Sequence, residues 1–391
     1  MKPGDRHRKL AGHLKKGNHM RLFEKSQINE TQLDNRSVRS ATWSAVADSK
    51  GFVTDLAADY YRRVGAGGVG LVITGFQYVM PNGIAMKQQL GNYTDDMTSG
   101  LARLADAVRA ENGKIAAQLV HTGAKANPDL FPEEGEVWGP SAVPDPMTGR
   151  APKEVSRDEI IQLIQAYADA ARRCRDAGFD GVQLHGAHGY GINQFLSPIS
   201  NRRGDAYGGD LNDRYRFLGE TLEAVRGAVG KDFPVFIKLA GHDFIDGGLT
   251  TDDALVVARK LAEDGIDAIE VSAGSRASKD GKIPSRLHVL KTEDEAYLAD
   301  LAEAVKKVVS VPIVSVGGYR TPEVIESVLA QGKADLIAFC RPLIREPDLI
   351  NRWKTGDTSK ATCISCNGCF ETADTGTGIT CKIDLEAKEK E

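Results

Sequence analysis

Residues 157–185, RDEIIQLIQAYADAARRCRDAGFDGVQLH, decide the fold class. The stretch opens behind Ser156, with Glu159 three residues on, a spacing that suits a helix N-cap. A helical pattern then runs over 157–177 and stops at Gly178, where a C-terminal helix glycine belongs. A short apolar run, Gly181–His185, follows at once and reads as a buried strand. Helix, glycine and strand in immediate succession form one turn of a parallel α/β fold.

The same unit recurs along the chain. Candidate strands are Val38–Thr42, Val69–Thr74, Ile115–Val120, Gly181–His185, Val235–Leu239, Ala268–Ser272, Ile313–Val316 and Leu336–Phe339. Helical patterns at about 55–65, 97–112, 157–177, 211–229, 252–264, 294–309 and 322–331 separate them, and another near 343–354 follows the last strand. Gly265 and Gly332 close helices as Gly178 does, Thr251 is a further candidate N-cap, and Pro234 and Pro312 stand at strand entries, where a missing N–H is harmless. Eight such units predict a single (β/α)8 TIM barrel over 20–355. The rival, a doubly wound open sheet, lacks support because no G-x-G-x-x-G turn follows the first strand. Two connections are enlarged: 121–152 after the third strand and 186–210 after the fourth. Both lie at the C-terminal strand ends, where barrel enzymes keep their chemistry.

Composition narrows the function classes. With 41% hydrophobic and 27% charged residues, the chain is built like a water-soluble globular protein. No run of about 18 apolar residues is present, so no membrane span is expected. The net charge of −4 is uneven: residues 1–20 carry +5, leaving −9 on the rest, which argues against nucleic acid as a partner. Residues 1–19 read as a flexible basic extension or a cloning remnant, without the apolar core of a secretory signal. Four of the six cysteines crowd into 356–391 as C-x2-C-x2-C-x11-C: Cys363, Cys366, Cys369 and Cys381. Four thiolates at that spacing can hold an iron–sulfur cluster or a structural zinc; free thiols on a loose tail are the plainer alternative. Such clustering in a large chain without a signal points to a reducing compartment, with the cytoplasm as default.

The strongest local signal is LHGAHGYGINQFLSPISNRRGDAYGGDLNDRYRF, residues 184–217. His185 ends a strand, and His188 and Tyr190 follow in a Gly-rich turn. Two imidazoles and a phenol at a barrel rim could engage one acceptor oxygen and deliver a proton, bind a metal as a pair, or merely bond to the rim. Here a resemblance becomes specific. Together with NRSVRSATW (35–43), AAQLVHTGAKA (116–126), VFIKLAG (235–241) and FCRPLIREPDL (339–349), the segment resembles the Old Yellow Enzyme family of NADH:flavin oxidoreductases, including 2,4-dienoyl-CoA reductase and trimethylamine dehydrogenase. The likeness spans roughly 20–355.

The resemblance implies an FMN-dependent oxidoreductase that moves hydride from NAD(P)H to an α,β-unsaturated carbonyl compound, with nicotinamide and alkene using one site in turn. His185 and His188 would bind the carbonyl oxygen and Tyr190 would donate the proton. Gln118 would face the flavin pyrimidine edge, and Lys238 the ring near N1 and O2. Ser40, Ala41, Thr42, Trp43, Gly75 and Phe76 would surround the isoalloxazine. Gly317, Gly318, Cys340 and Arg341 would cradle the phosphate, Cys340 through its backbone with an incidental thiol. Trp43 departs from the threonine or cysteine that many relatives place there, and an indole suits a cationic amine. A second reading is therefore an amine dehydrogenase or demethylase that passes electrons through a [4Fe–4S] cluster to a partner protein. A third, from another class, is a zinc-braced binding or assembly protein. Relatives with the cysteine spacing continue into further nucleotide-binding domains, whereas this sequence stops at Glu391. The substrate is a small molecule in the first two readings, and a homo-oligomer is compatible with all three.

Overall fold

The structure, a computed structural model, describes residues 20–388, so the expected basic extension at 1–19 lies outside the described residues. Eight parallel strands form its centre: β1 (Ser37–Arg39), β2 (Leu71–Ile73), β3 (Ile115–Val120), β4 (Gly181–Gly186), β5 (Val235–Ala240), β6 (Ile269–Ser272), β7 (Ile313–Val316) and β8 (Leu336–Phe339). Each pairs with the next in parallel, β8 returns to β1, and β2 joins β3, so the ladder closes into a barrel. Closure removes every free strand edge.

Helices α1 (Asp55–Ala66), α2 (Thr98–Arg109), α3 (Arg157–Asp176), α4 (Leu211–Val229), α5 (Thr251–Glu263), α6 (Ala299–Lys306), α7 (Pro322–Ala330) and α8 (Leu349–Lys354) surround the strands. The capping box expected of Ser156 and Glu159 is present, each side chain bonding the other's backbone. The cap of α5 is Thr250 rather than Thr251, because Thr250 reaches Asp253 N–H while Asp253 returns the bond. Two helices are shorter than the periodicity predicts. α6 starts late because Ala296 has a left-handed φ of 55°, and the last helical stretch splits at Pro347 into Arg341–Arg345 and α8. A short helix, Gly191–Leu196, lies within the enlarged fourth connection, where only a loop was expected. Among the described residues no helix is long and apolar enough to cross a membrane.

The barrel interior is divided along its axis. Its N-terminal half is apolar, filled by Val38, Leu71, Phe236, Val314 and Leu336, and plugged by Ile28 and Leu33 from a hairpin (Ser26–Ile28 with Thr31–Leu33). Each such fully buried aliphatic or aromatic side chain contributes roughly 1.5–3 kcal/mol. The C-terminal half holds polar groups instead: Gln118, His185, Lys238, Glu270 and Ser272, all buried. Burying that many polar side chains is unfavourable unless they bond to one another or to a ligand. That half opens into the site.

Candidate active site

A cavity of about 540 Å³ occupies the C-terminal mouth of the barrel, in the size range of cofactor and substrate sites. Its inner wall begins where β1 leaves the ladder. Ser40 N–H still donates to Phe339 O at 2.8 Å, and Ala41, Thr42 and Trp43 then turn along the cavity. The Trp43 indole N–H donates to Lys87 O at 2.9 Å, so its polar edge is satisfied and its ring lines the wall. Gln118 and Lys238 reach the cavity from β3 and β5. Behind them runs a chain of bonds. Gln118 Nε2 donates to Gln183 Oε1 (2.7 Å), Gln183 Nε2 to Glu270 Oε2 (2.8 Å), and Lys238 Nζ stands 3.2 Å from Glu270 Oε1.

The rim carries the two imidazoles. His185 is the penultimate residue of β4, in register with Lys238 of β5, and the ladder fixes its direction. His188 follows in a left-handed conformation, φ 65°, a strain of order 1–3 kcal/mol that a β-carbon resists. A buried lysine holds this turn: Lys125 Nζ donates to His188 O at 2.7 Å. The rings of His185 and His188 lie 5.1 Å apart nearly edge to face, and Tyr190 packs 4.9 Å from His185. Phe76 backs Tyr190 at 5.5 Å.

Proton positions follow from partners. His185 Nδ1 accepts from Ala187 N–H at 3.4 Å, which puts the ring proton on Nε2. His188 Nε2 is engaged by Ser272 Oγ at 2.7 Å, leaving Nδ1 for a ligand. Burial holds both imidazoles well below the ordinary histidine range; nearby His188, Lys238 and Lys125 add to the effect at His185, and the two lysines at His188. Both are neutral at pH 7. Burial pushes the Tyr190 phenol up to about 12, and its hydroxyl has no hydrogen-bond partner among the described residues. A neutral N–H at His185 Nε2, the open Nδ1 of His188 and a free phenol thus share one rim.

At the opposite end the cavity is basic. Gly318, with φ 76°, Arg320 and Arg341 line it after β7 and β8. Arg320 donates to Val289 O and Ala361 O, yet its buried Nε has no partner among the described residues. Arg341 Nη1 binds Arg286 O, Ser365 O and Asn367 Oδ1, which ties the barrel to the C-terminal segment. Ser365, Asn367, Phe370 and Glu371 of that segment complete the wall.

Most residues singled out from sequence therefore converge: Ser40, Ala41, Thr42, Trp43, Phe76, Gln118, His185, His188, Tyr190, Lys238, Gly318, Cys340 and Arg341 all line the cavity. Gly75 and Gly317 do not. Gly75 is needed for a close approach, since a Cβ there would lie 2.8 Å from Thr42 O, and its N–H is taken by Tyr61 Oη. Gly317 is turned toward Tyr297 and Leu298. The Cys340 thiol lies against Thr42 Oγ1 at the cavity wall. Residues not anticipated are Lys125, Glu270, Arg276 and Arg320. A lysine in HTGAKA and a glutamate inside the apolar run AIEVS were available signals, since each must find a partner once buried.

The four tail cysteines are free, and among the described residues no three His, Cys, Asp or Glu side chains gather closely enough to hold a metal ion. Burial pushes Cys363 up, and Cys369 up to about 12, so these thiols stay protonated as they lie. They do not fit a cluster or a zinc ion in this arrangement.

An eight-stranded barrel with a cofactor-sized polar cavity at its C-terminal mouth defines an enzyme of the (β/α)8 class. Residues 21–359 match the NADH:flavin oxidoreductase / NADH oxidase family, and the chain belongs to it. It is 36% identical over 369 residues to a metal reductase of Desulforamulus reducens, covering 94% of this chain and 54% of that one. It is also 36% identical over 327 residues to an NADPH dehydrogenase of Geobacillus sp. (strain WCH70), covering 83% and 91%. The solved 2-naphthoyl-CoA reductase in complex with 2-naphthoyl-CoA superposes with a TM-score of 0.85 at 30% identity, over 92% of this chain and 56% of that one. Against the longer relatives the chain thus spans about half their length.

Proposed function

We propose that the chain binds FMN and uses NAD(P)H to reduce the C=C bond of an α,β-unsaturated carbonyl compound. The observation that carries this reading is the convergence of His185, His188 and Tyr190 on the open side of a cavity whose inner wall presents Gln118 and Lys238. The cavity fits the cofactor. Arg320, whose buried Nε has no partner among the described residues, lines the cavity together with Gly318 and Arg341, and two guanidiniums beside a glycine suit a phosphoryl group. Gln118 offers an amide and Lys238 a cation for the pyrimidine edge. FMN, when bound, supplies a ring that accepts hydride from the nicotinamide and gives it to the alkene.

The chain's own groups do the rest. His185 Nε2–H and His188 Nδ1 hold the carbonyl oxygen, where negative charge grows as the β-carbon is attacked. Fixed donors in a water-poor site stabilise that charge more than the neutral ground state. Tyr190, kept protonated by burial, gives its proton to the α-carbon. Lys125 holds the turn that carries His188. Because one mouth serves both reactants, the kinetics are ping-pong.

The amine-oxidising alternative loses support at the same rim. Lys125 is buried there and Arg276 lines the cavity, so basic side chains stand on the substrate side, which favours a carbonyl acceptor over a cationic amine. The tail thiols form no metal site among the described residues, so no electrons are routed through them in this reading. Six free thiols suit a reducing compartment such as the cytoplasm.

The test is anaerobic. Protein reconstituted with FMN should be bleached by NADH or NADPH and regain colour with 2-cyclohexenone. Failure to take up FMN, or bleaching by amines with no recovery on adding enones, defeats the proposal.

A further inference from the structure

The groups at the proposed pyrimidine edge are wired to one carboxylate. Glu270 sits on β6 with no exposure at all, in register with Lys238 of β5. Its Oε1 accepts from Ser40 Oγ at 2.6 Å and stands 3.2 Å from Lys238 Nζ, which also donates to Ser40 Oγ at 2.8 Å. Its Oε2 accepts from Gln183, which in turn accepts from Gln118. Ser40, Gln118 and Lys238 line the cavity, whereas Glu270 and Gln183 stand behind them. The cavity therefore meets a lysine whose charge is already matched from the rear.

We propose that Glu270 is a positioning residue that sets the reduction potential of the bound flavin by neutralising Lys238 and orienting Ser40 and Gln118. The inference rests on the FMN reading above and extends it to a residue that does not touch the cofactor. An unpaired ammonium beside the pyrimidine edge favours the reduced, negatively charged ring. A carboxylate 3.2 Å behind that ammonium opposes the effect, and in a buried site water does little to screen either charge. The two electrons and one proton of a hydride still come from NAD(P)H and go to the β-carbon, while Tyr190 supplies the proton for the α-carbon; Glu270 changes only how far the first transfer lies toward the reduced flavin. The carboxylate also makes the lysine's burial tolerable, since a lone buried cation is strongly disfavoured.

A charge cycle on the FMN-loaded protein tests this. Glu270→Gln keeps the size and hydrogen-bonding reach of the side chain and removes its charge. Its oxidised/reduced ratio against a reference dye should move at least tenfold toward reduced, about 30 mV for a two-electron couple. Lys238→Met should move the ratio the other way, and the Glu270→Gln/Lys238→Met pair should return it to within about threefold of the parent. If Glu270→Gln does not fold, the pair measured against Lys238→Met alone still decides, because removal of the carboxylate must lower the oxidised/reduced ratio. Flavin uptake with an unmoved ratio throughout, or a pair that matches Lys238→Met, overturns the inference alone. A parent protein that takes up no flavin overturns the FMN reading together with it.

Discussion

The rim segment Gly186–Tyr190 and the tail segment Cys363–Cys381 both carry reactive side chains at short spacing, and they end up organised differently. At the rim, His185 stands near the end of β4, which is paired on both sides, and each ring is then held by a named partner: Ala187 N–H, Ser272 Oγ, and Lys125 through the His188 carbonyl. In the tail the backbone follows a 3-10 turn, Gly368–Thr375, and a short helix, Lys382–Lys388, and is pinned to the barrel at Ala361 and Ile379. Thr372 serves as its internal hub, bonding Cys369 O and Thr380 N–H. Short spacing brings side chains together when a ladder fixes the direction in which the chain leaves it. Without a ladder, spacing measures only how far apart the side chains can lie.

The largest expected effect is at the phenol. Tyr190→Phe should slow alkene reduction by about 10²–10⁴-fold while leaving flavin reduction by NAD(P)H intact, as separate anaerobic half-reactions would measure. Equal loss in both halves would reduce Tyr190 to a packing residue. Removing a rim donor with His185→Ala should slow the alkene half-reaction about 10²–10³-fold, and the loss should be larger for enones than for a non-carbonyl oxidant.

Acid should separate the two regions next. His121, at the end of β3, is buried, and burial depresses its pKa to about 4. A folded-state pKa below the unfolded value of about 6.5 gives stability that is full above pH 6.5 and is lost as pH falls through about 4. His121 alone is then worth about 3 kcal/mol between those limits, and His185 and His188 add to it in the same direction. Denaturant titrations from pH 7 to 4 should show that loss, and exchange or proteolysis should trace it to the rim rather than the tail. A flat profile would mean that the imidazoles are hydrated.

The smallest effect is expected in the tail. With no metal site among its thiols in this arrangement, Cys381→Ser should change stability by within about 0.5 kcal/mol, and a chelator should leave the melting temperature unchanged. Iron or zinc retained through purification, with a lower melting temperature on chelation, would break the comparison by showing that the tail rearranges to gather its thiolates.

The barrel was legible because its determinants are local: helix caps, closing glycines and apolar runs that stand together in sequence. So was most of the cavity wall, since residues at strand ends inherit their direction from the strand. What escaped depends on contacts between strands. Glu270 meets Lys238 through the register of β5 against β6, and no spacing along the chain encodes that. Lys125 reaches His188 across 63 residues. Gly75 and Gly317 stand off the cavity lining, since a glycine near a site can serve close backbone approach instead, as the Thr42 carbonyl beside Gly75 requires. The shortened α6 follows from the left-handed Ala296, which frees Glu295 to bond the N–H groups of Arg320 and Thr321.

One guanidinium, that of Arg341, ties three stretches of the chain together at the basic end: the barrel, the connection after β6 through Arg286, and the tail through Ser365 and Asn367. The wall of that end is therefore a shared structure, and loss of this one side chain would loosen barrel, connection and tail at once.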